Sequence, residues 1–232
     1  MTIRKNRVLI IAAHPDDETI GCGGAIAKHR NNHDSVSCIY FTNGVGARFA
    51  KNFNEKEVFL REKSSIKAEK ILGFKWLHNL CQNFPDNSLD NFSLLKIIKT
   101  IEKAKRLIKP NLIYTHSSAD LNIDHRRICE AVMVAFRPQP GETWEEIRLF
   151  EVPSSTEYSN NLFKQNFKPN LFINIQQTWK KKSAALRAYQ KEMKKYPHPR
   201  SLNGIKILAQ YRGIQNGLKM AEAFEVVKKI VR

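Results

Sequence analysis

The sequence has no long hydrophobic run. Residues 8–13, VLIIAA, make a run that none exceeds, far short of the ~20 residues a membrane-spanning helix needs. Cysteine is scarce and scattered: Cys22, Cys38, Cys81 and Cys129 form no C-x-x-C pair. That excludes a disulfide scaffold and argues against a zinc ribbon. There is no repeat, no Gly/Ser linker and no low-complexity tract, so the 232 residues read as a single domain. Its expected parts are a core with the chemical motifs (about 1–152) and a C-terminal strand with helices (153–232). A G-x-G-x-x-G turn after the first apolar run is also missing. Acidic residues stand there instead and would repel a pyrophosphate, which excludes a nucleotide-binding oxidoreductase.

Acidic residues are the minority charge. Lys plus Arg number 39 against 22 Asp plus Glu, a net charge of +17. Such an excess suits a solvated face, an anionic substrate, an anionic membrane surface or nucleic acid. It is uneven: between positions 176 and 200 there are eight Lys or Arg and one acid, Glu192. The basic stretch 180–195 lacks interleaved aromatics beyond Trp179 and Tyr189, so stacking on single strands is poorly supported and nucleic acid is not an expected partner. The N-terminal MTIRKNRVLIIAAHPDDE has a short apolar run leading straight into charge. It reads as a first strand and not a signal peptide, so the expected compartment is the cytoplasm.

What is present is an ordinary globular composition, 42% apolar and 26% charged. Short β-branched runs at 7–13, 35–41, 111–115, 147–152 and 170–175 read as strands, with a shorter one at 74–77. Helical spacing marks 24–30, 55–72, 93–108 and 125–136. This alternation predicts an α/β fold, a mostly parallel sheet with helices on both faces. The C-terminal third predicts two more helices, 176–194 and 202–231, separated by Pro197 and Pro199. Gly73 is placed to close the helix ending at 72. Asp124 is placed to N-cap the helix starting at His125.

The chemistry is concentrated in two places. His14-Pro15-Asp16-Asp17-Glu18 follows the first strand, and Gly21-Cys22-Gly23-Gly24 comes next, letting the backbone approach something closely. Asp120-Leu121-Asn122-Ile123-Asp124-His125 follows the strand at 111–115. Ligands of open parallel sheets bind beyond the carboxyl ends of strands, at the switch point of strand order. In the doubly wound order these two strands are neighbours, and His14, Asp17 and His125 converge. Two imidazoles and a carboxylate are a catalytic zinc set with a position left for water. The spare carboxylates are then a general base and orienting groups.

The stretch VLIIAAHPDDETIGCGGAIA at 8–27 resembles the LmbE/PIG-L family of zinc-dependent N-deacetylases. DLNIDHR at 120–126 resembles that family's second metal motif. The resemblance runs on through Arg61-Glu62-Lys63, Leu72-Gly73, Phe84-Pro85-Asp86, HPRS at 198–201 and AEAFEVV at 221–227. It implies a Rossmann-like fold and removal of an acetyl group from an N-acetyl amino sugar. It implies His14, Asp17 and His125 as zinc ligands, a set that also accepts iron(II), and Asp16 as general base. It implies Arg48 and Asp86 as substrate contacts.

One position departs from the pattern. Asn122 stands where many members carry a histidine thought to be the acid and oxyanion partner. An amide donates a hydrogen bond but cannot carry the proton. Asn122 is thus expected at the substrate, with proton donation passing to Asp16, His116 or His198. Asp124 is expected to orient an imidazole or to cap its helix, and Glu18 to be structural. His29, His33 and His78 are expected to be structural or surface residues. Arg137, in an Arg-Pro-Gln-Pro loop, is expected beside the mouth of the site, taking phosphate or carboxylate. The expected substrate is a small GlcNAc-type glycoside or sugar nucleotide, anionic to suit the charge, from bacterial surface-polysaccharide or glycoconjugate synthesis. The alternatives are a GlcNAc-malate of bacillithiol-type thiol synthesis and a non-catalytic zinc-binding relative. Membrane-surface contact and homo-oligomerisation stay open.

Overall fold

Val8 and Ile10 pack into one apolar cluster while Leu9 and Ile11 pack into another. That is the period-two alternation of a strand buried on both faces. The computed structural model describes residues 4–45, 55–159 and 166–231. In it this strand, β1 (Arg7–Ile11), lies inside a seven-stranded sheet. The other strands are β2 (Ser35–Ile39), β3 (Lys75–Trp76), β4 (Leu112–His116), β5 (Glu146–Phe150), β6 (Leu171–Asn174) and β7 (Ala221–Lys229), in the order β3-β2-β1-β4-β5-β7-β6. The first five run parallel, and β7 is antiparallel to both β5 and β6. β1 and β4 are neighbours, so the strand order reverses between them.

Helices cover both faces. α1 (Asp17–Asn31), α2 (Glu55–Leu72), α5 (Trp179–Ala188) and α6 (Leu202–Ile214) pack on one side, and α3 (Leu94–Ile108) and α4 (Ile123–Ala135) on the other. α3 buries Ile97, Ile98, Ile101 and Ala104, one stripe at helical spacing. Gly73 follows α2 with φ 82°, and its N–H reaches Glu69 O at 2.8 Å. This is the left-handed helix stop that glycine adopts without strain.

Three expectations are corrected. The last helix does not run from 202 to 231: α6 ends at Ile214, a turn passes Gly217 at φ 67°, and residues 221–229 form the longest strand. Ala, Glu and Lys give that segment a local helical preference, and pairing with two strands overrides it. α1 begins at Asp17 and not at 24, because the glycines at 21, 23 and 24 lie inside it. Asp124 does not cap α4: Asn122 is the N-cap, and its side chain accepts from the N–H groups of Asp124 and His125.

Candidate metal centre and active site

The carboxyl ends of β1 and β4 set the site. β1 delivers His14, the start of α1 delivers Asp17, and the first turn of α4 delivers His125. His14 Nδ1 lies 3.0 Å from Asp17 Oδ2 and 3.2 Å from His125 Nε2. His125 Nε2 lies 3.4 Å from the same Asp17 oxygen. All three side chains are buried. Metal–ligand bonds of about 2.0 Å in a tetrahedron place ligand atoms about 3.3 Å apart. The observed triangle has that size.

The far side of each imidazole is held by carboxylate. His14 Nε2 is 3.1 Å from Asp124 Oδ2 and 3.0 Å from Asp86 Oδ1. His125 Nδ1 is 3.1 Å from Asp120 Oδ2. This is the outer arrangement that fixes a metal-binding imidazole. Asp124 also accepts the N–H groups of Asn87 and Leu89, at 2.7 and 2.8 Å, so it fastens the loop bearing Asp86 to His14. Asp120 accepts the hydroxyls of Ser155 and Thr156.

The electrostatics favour positive charge at this cluster. Burial disfavours charge on His125, but Asp120 and Asp17 outweigh it and lift the imidazole to about 9. Burial opposes charge on Asp120 as well, yet His125 and the two hydroxyls hold it down to about 2. His14 is raised in the same way, burial being outweighed by Asp17, Asp124 and Asp86. Two imidazoles drawn toward the cationic form thus face each other across 3.2 Å, where two protons cannot both fit. One divalent ion held by His14, Asp17 and His125 would satisfy the carboxylates and remove that conflict. The donor set fits zinc, and equally iron(II).

Asp16 is buried beside Asp17. Burial pushes its carboxyl up to about 6, against the opposing charge of Arg61. Its backbone sits at φ 142°, ψ −28°, a region costing a non-glycine residue about 1–3 kcal/mol. Glu18 Oε2 accepts the Asp16 N–H at 3.0 Å and helps hold that conformation. Glu18 Oε1 accepts Thr19 and Tyr189 hydroxyls, and burial raises its carboxyl to about 7. Arg61, buried on α2, lies 3.0 Å from Asp16 Oδ2 and 2.6 Å from Glu192 Oε1. It also donates to Pro15 O and Gly44 O. Sequence reading gave Arg61, Asp120 and Glu192 no part in the site. Asp120 had a signal, since it opens the second motif. Arg61 had only its place in the Arg61-Glu62-Lys63 stretch of the family resemblance; its charge and spacing match the other cations of its helix.

The remaining expected residues divide. His116 lies directly under the cluster, stacked on His125 with centroids 3.9 Å apart. It is 0% exposed, and its Nε2 accepts the Ala13 N–H at 2.8 Å. Burial and His125 hold it well below the usual histidine range. His198 is half-buried between α5 and α6, its Nδ1 taking the Arg200 N–H. The charge of Arg200 reaches Asp16. Arg137 does not lie at the mouth. It is exposed at the C-terminal end of α4, bonded to Val134 O. That end is thirteen residues from the site, about 20 Å along the helix. The Arg-Pro-Gln-Pro loop leads into β5 and so lies at the opposite, amino end of the sheet. Arg48 lies outside the described residues.

The pattern of a known family matches residues 9–136, more than half of the chain, across both motifs. The chain belongs to the GlcNAc-PI de-N-acetylase family, PIG-L. PIG-L membership places it among the N-deacetylases. An uncharacterized deacetylase of Escherichia coli, YaiS, is 28% identical over 160 residues, covering 66% of this chain and 77% of that protein. A diacetylchitobiose deacetylase of Thermococcus kodakarensis is 26% identical over 231 residues, covering 97% and 84%. Among solved structures, the 4-carboxy-2-hydroxymuconate hydratase GalB of Pseudomonas putida matches with a TM-score of 0.73 at 21% identity, covering 97% of each chain. At that identity the likeness speaks for the fold alone.

Proposed function

We propose that the chain hydrolyses the N-acetyl group of an acetamido sugar at a metal centre held by His14, Asp17 and His125, with Asp16 as general base. The observation that carries this reading is the buried triangle of His14 Nδ1, His125 Nε2 and Asp17 Oδ2, with sides of 3.0, 3.2 and 3.4 Å. A divalent ion there supplies a Lewis acid for the amide carbonyl and lowers the pKa of water.

The protein's own groups do the rest. Asp16 accepts a proton as water adds to the amide carbon, and the new C–O bond forms. The C–N bond then breaks, acetate leaves, and the nitrogen takes the proton back from Asp16 to depart as the amine. One group suits both roles because burial has brought its carboxyl to about 6, near working pH. This supports Asp16 as the donor in place of Asn122, whose side chain is engaged in capping α4. Asp86 stays partly exposed at His14 and is placed to take a sugar hydroxyl. Asp124 orients His14.

The net charge of +17 supports a sugar bearing phosphate or carboxylate, of the kind made for bacterial surface polysaccharides. The test is metal content paired with acetate release. Wild type and Asp16→Ala are purified without chelator and offered free GlcNAc, GlcNAc-malate and UDP-GlcNAc. One metal per chain, with acetate released by wild type alone and fastest from a charged substrate, is the expected result. Absence of metal would sink the mechanism. Preference for neutral glycosides, with no effect of salt on KM, would remove the anionic substrate.

A further inference from the structure

Helix α1 is two helical pieces joined at Cys22, whose backbone (φ −140°, ψ 20°) is not helical. A helix end leaves carbonyls without donors, and a helix start leaves N–H groups without acceptors. At this joint both needs are met by one buried ion pair from the far end of the sequence. Lys182 Nζ, on α5, donates to Ile20 O at 2.7 Å and lies 2.6 Å from Glu222 Oε1. Glu222, on β7, accepts the N–H groups of Gly24 and Ala25 at 2.7 Å each. The two residues are 2% and 5% exposed. The ammonium therefore sits at the carbonyl end of the first piece and the carboxylate at the amino end of the second, each matching the helix dipole it meets.

The glycines of α1 make room for this joint. A Cβ at Gly24 would come within 2.6 Å of Ile175 Cγ2 and 3.0 Å of Glu222 Oε1, and one at Gly21 within 2.3 Å of Phe150 Cδ2. What the Gly21–Gly24 backbone approaches is the protein's own second half.

We propose that Lys182 and Glu222 are positioning residues for Asp17. They fix the direction of the first turn of α1, which carries Asp17 and Glu18, and so hold the Asp17 carboxylate against His14 and His125. The inference rests on the metal-centre reading of Asp17.

Its test uses Co²⁺ alone as probe. Lys182→Met/Glu222→Gln removes both charges and leaves no lone buried ion. Glu222→Gln alone keeps an acceptor for one of the two amides but strands the buried Lys182 ammonium, so it is the harsher variant and should weaken Co²⁺ binding at least as much. The expected result is a Co²⁺ dissociation constant raised about tenfold or more, the size seen when outer partners of metal ligands are lost. The visible spectrum of bound Co²⁺ should change shape. In the metal-free variants the amides of residues 17–21 should exchange hydrogen faster while unfolding stays cooperative. A folded variant with wild-type affinity and spectrum would overturn the proposal. So would rapid exchange of the Gly24 and Ala25 amides in the metal-free wild type, a measurement that needs no variant. Wild-type protein that binds Co²⁺ no better than His125→Ala would remove the metal-centre reading, and the inference with it.

Discussion

His14 Nδ1 and His125 Nε2 lie 3.2 Å apart although 111 positions separate the two residues. The closeness comes from the parallel pairing of β1 with β4, which brings two strand ends together at the point where strand order reverses. If the pair is a metal centre, purified protein carries one divalent ion per chain, and either His→Ala variant loses it. Stripping the ion with chelator should lower Tm and abolish acetate release, and zinc or iron(II) should restore both. Metal analysis and a thermal melt decide the matter. Full stability and turnover after stripping would refute it.

Asp16→Asn should keep its metal and lose catalysis. The amide is nearly isosteric and cannot take a proton, so kcat should fall about 10²–10⁴-fold with KM little changed. Steady-state kinetics beside metal analysis test this. A variant within a few fold of wild type would assign the base elsewhere.

Arg61→Met should destabilise the fold. It would leave the carboxylates of Asp16 and Glu192 buried without their shared partner. Removing one member of such a buried pair costs about 3–5 kcal/mol. Arg61→Lys should recover only part, because one ammonium cannot reproduce four contacts spread over Pro15, Asp16, Gly44 and Glu192. Urea denaturation gives the comparison.

Asn122→Ala should cost about 1 kcal/mol through the lost N-cap and loosen the turn that presents His125. Asn122→Asp retains the acceptor and adds a favourable charge at the helix start, so stability and metal affinity should survive. If Asp retained stability but lost kcat while Ala did not, the amide would be a substrate contact after all.

A partly buried histidine, His29, predicts acid sensitivity away from the site. His29 Nδ1 is 2.6 Å from Asp34 Oδ2, and His29 Nε2 is 3.0 Å from the Tyr114 hydroxyl. Arg148 already donates to that hydroxyl, so the neutral ring accepts the tyrosine proton and a protonated ring could not. Burial, against the pull of Asp34, lowers the His29 pKa below 6.5. The folded state thus takes up this proton less readily than the unfolded chain. The stabilisation is full above 6.5 and declines as pH falls through the folded value. Tm should drop between pH 7.5 and 5.5, and His29→Gln should flatten that drop. An equal slope in both proteins would exclude His29 as its source.

The features legible in the sequence were those with local signatures. Alternating apolar runs gave the strands, helical spacing gave α2 and α3 nearly to the residue, and dense polar clusters at strand ends gave the chemistry. What was not legible depends on distant partners. The segment at 221–229 is rich in Ala, Glu and Lys, and only its pairing with β5 and β6 makes it a strand. The glycines of α1 read as a close approach to an unnamed group because their reason, contact with Phe150, Ile175 and Lys182, lies more than 120 residues away. Arg61 and Lys182 resemble surface cations of amphipathic helices until the fold buries them. The Arg-Pro-Gln-Pro loop was misplaced because its chemistry suited a binding site, while connectivity puts it at the wrong end of α4.

The clasp on α1 also sets an order of events in the life of the chain. Glu222 is translated 198 residues after Gly24, an interval of about 10–40 s at ordinary elongation rates. Throughout that time the nascent helix has an unsealed joint, and the carboxylate at position 17 has no fixed bearing. On this proposal metal capture waits for β7, and a chain arrested before Glu222 would bind Co²⁺ poorly however well its first two-thirds had folded.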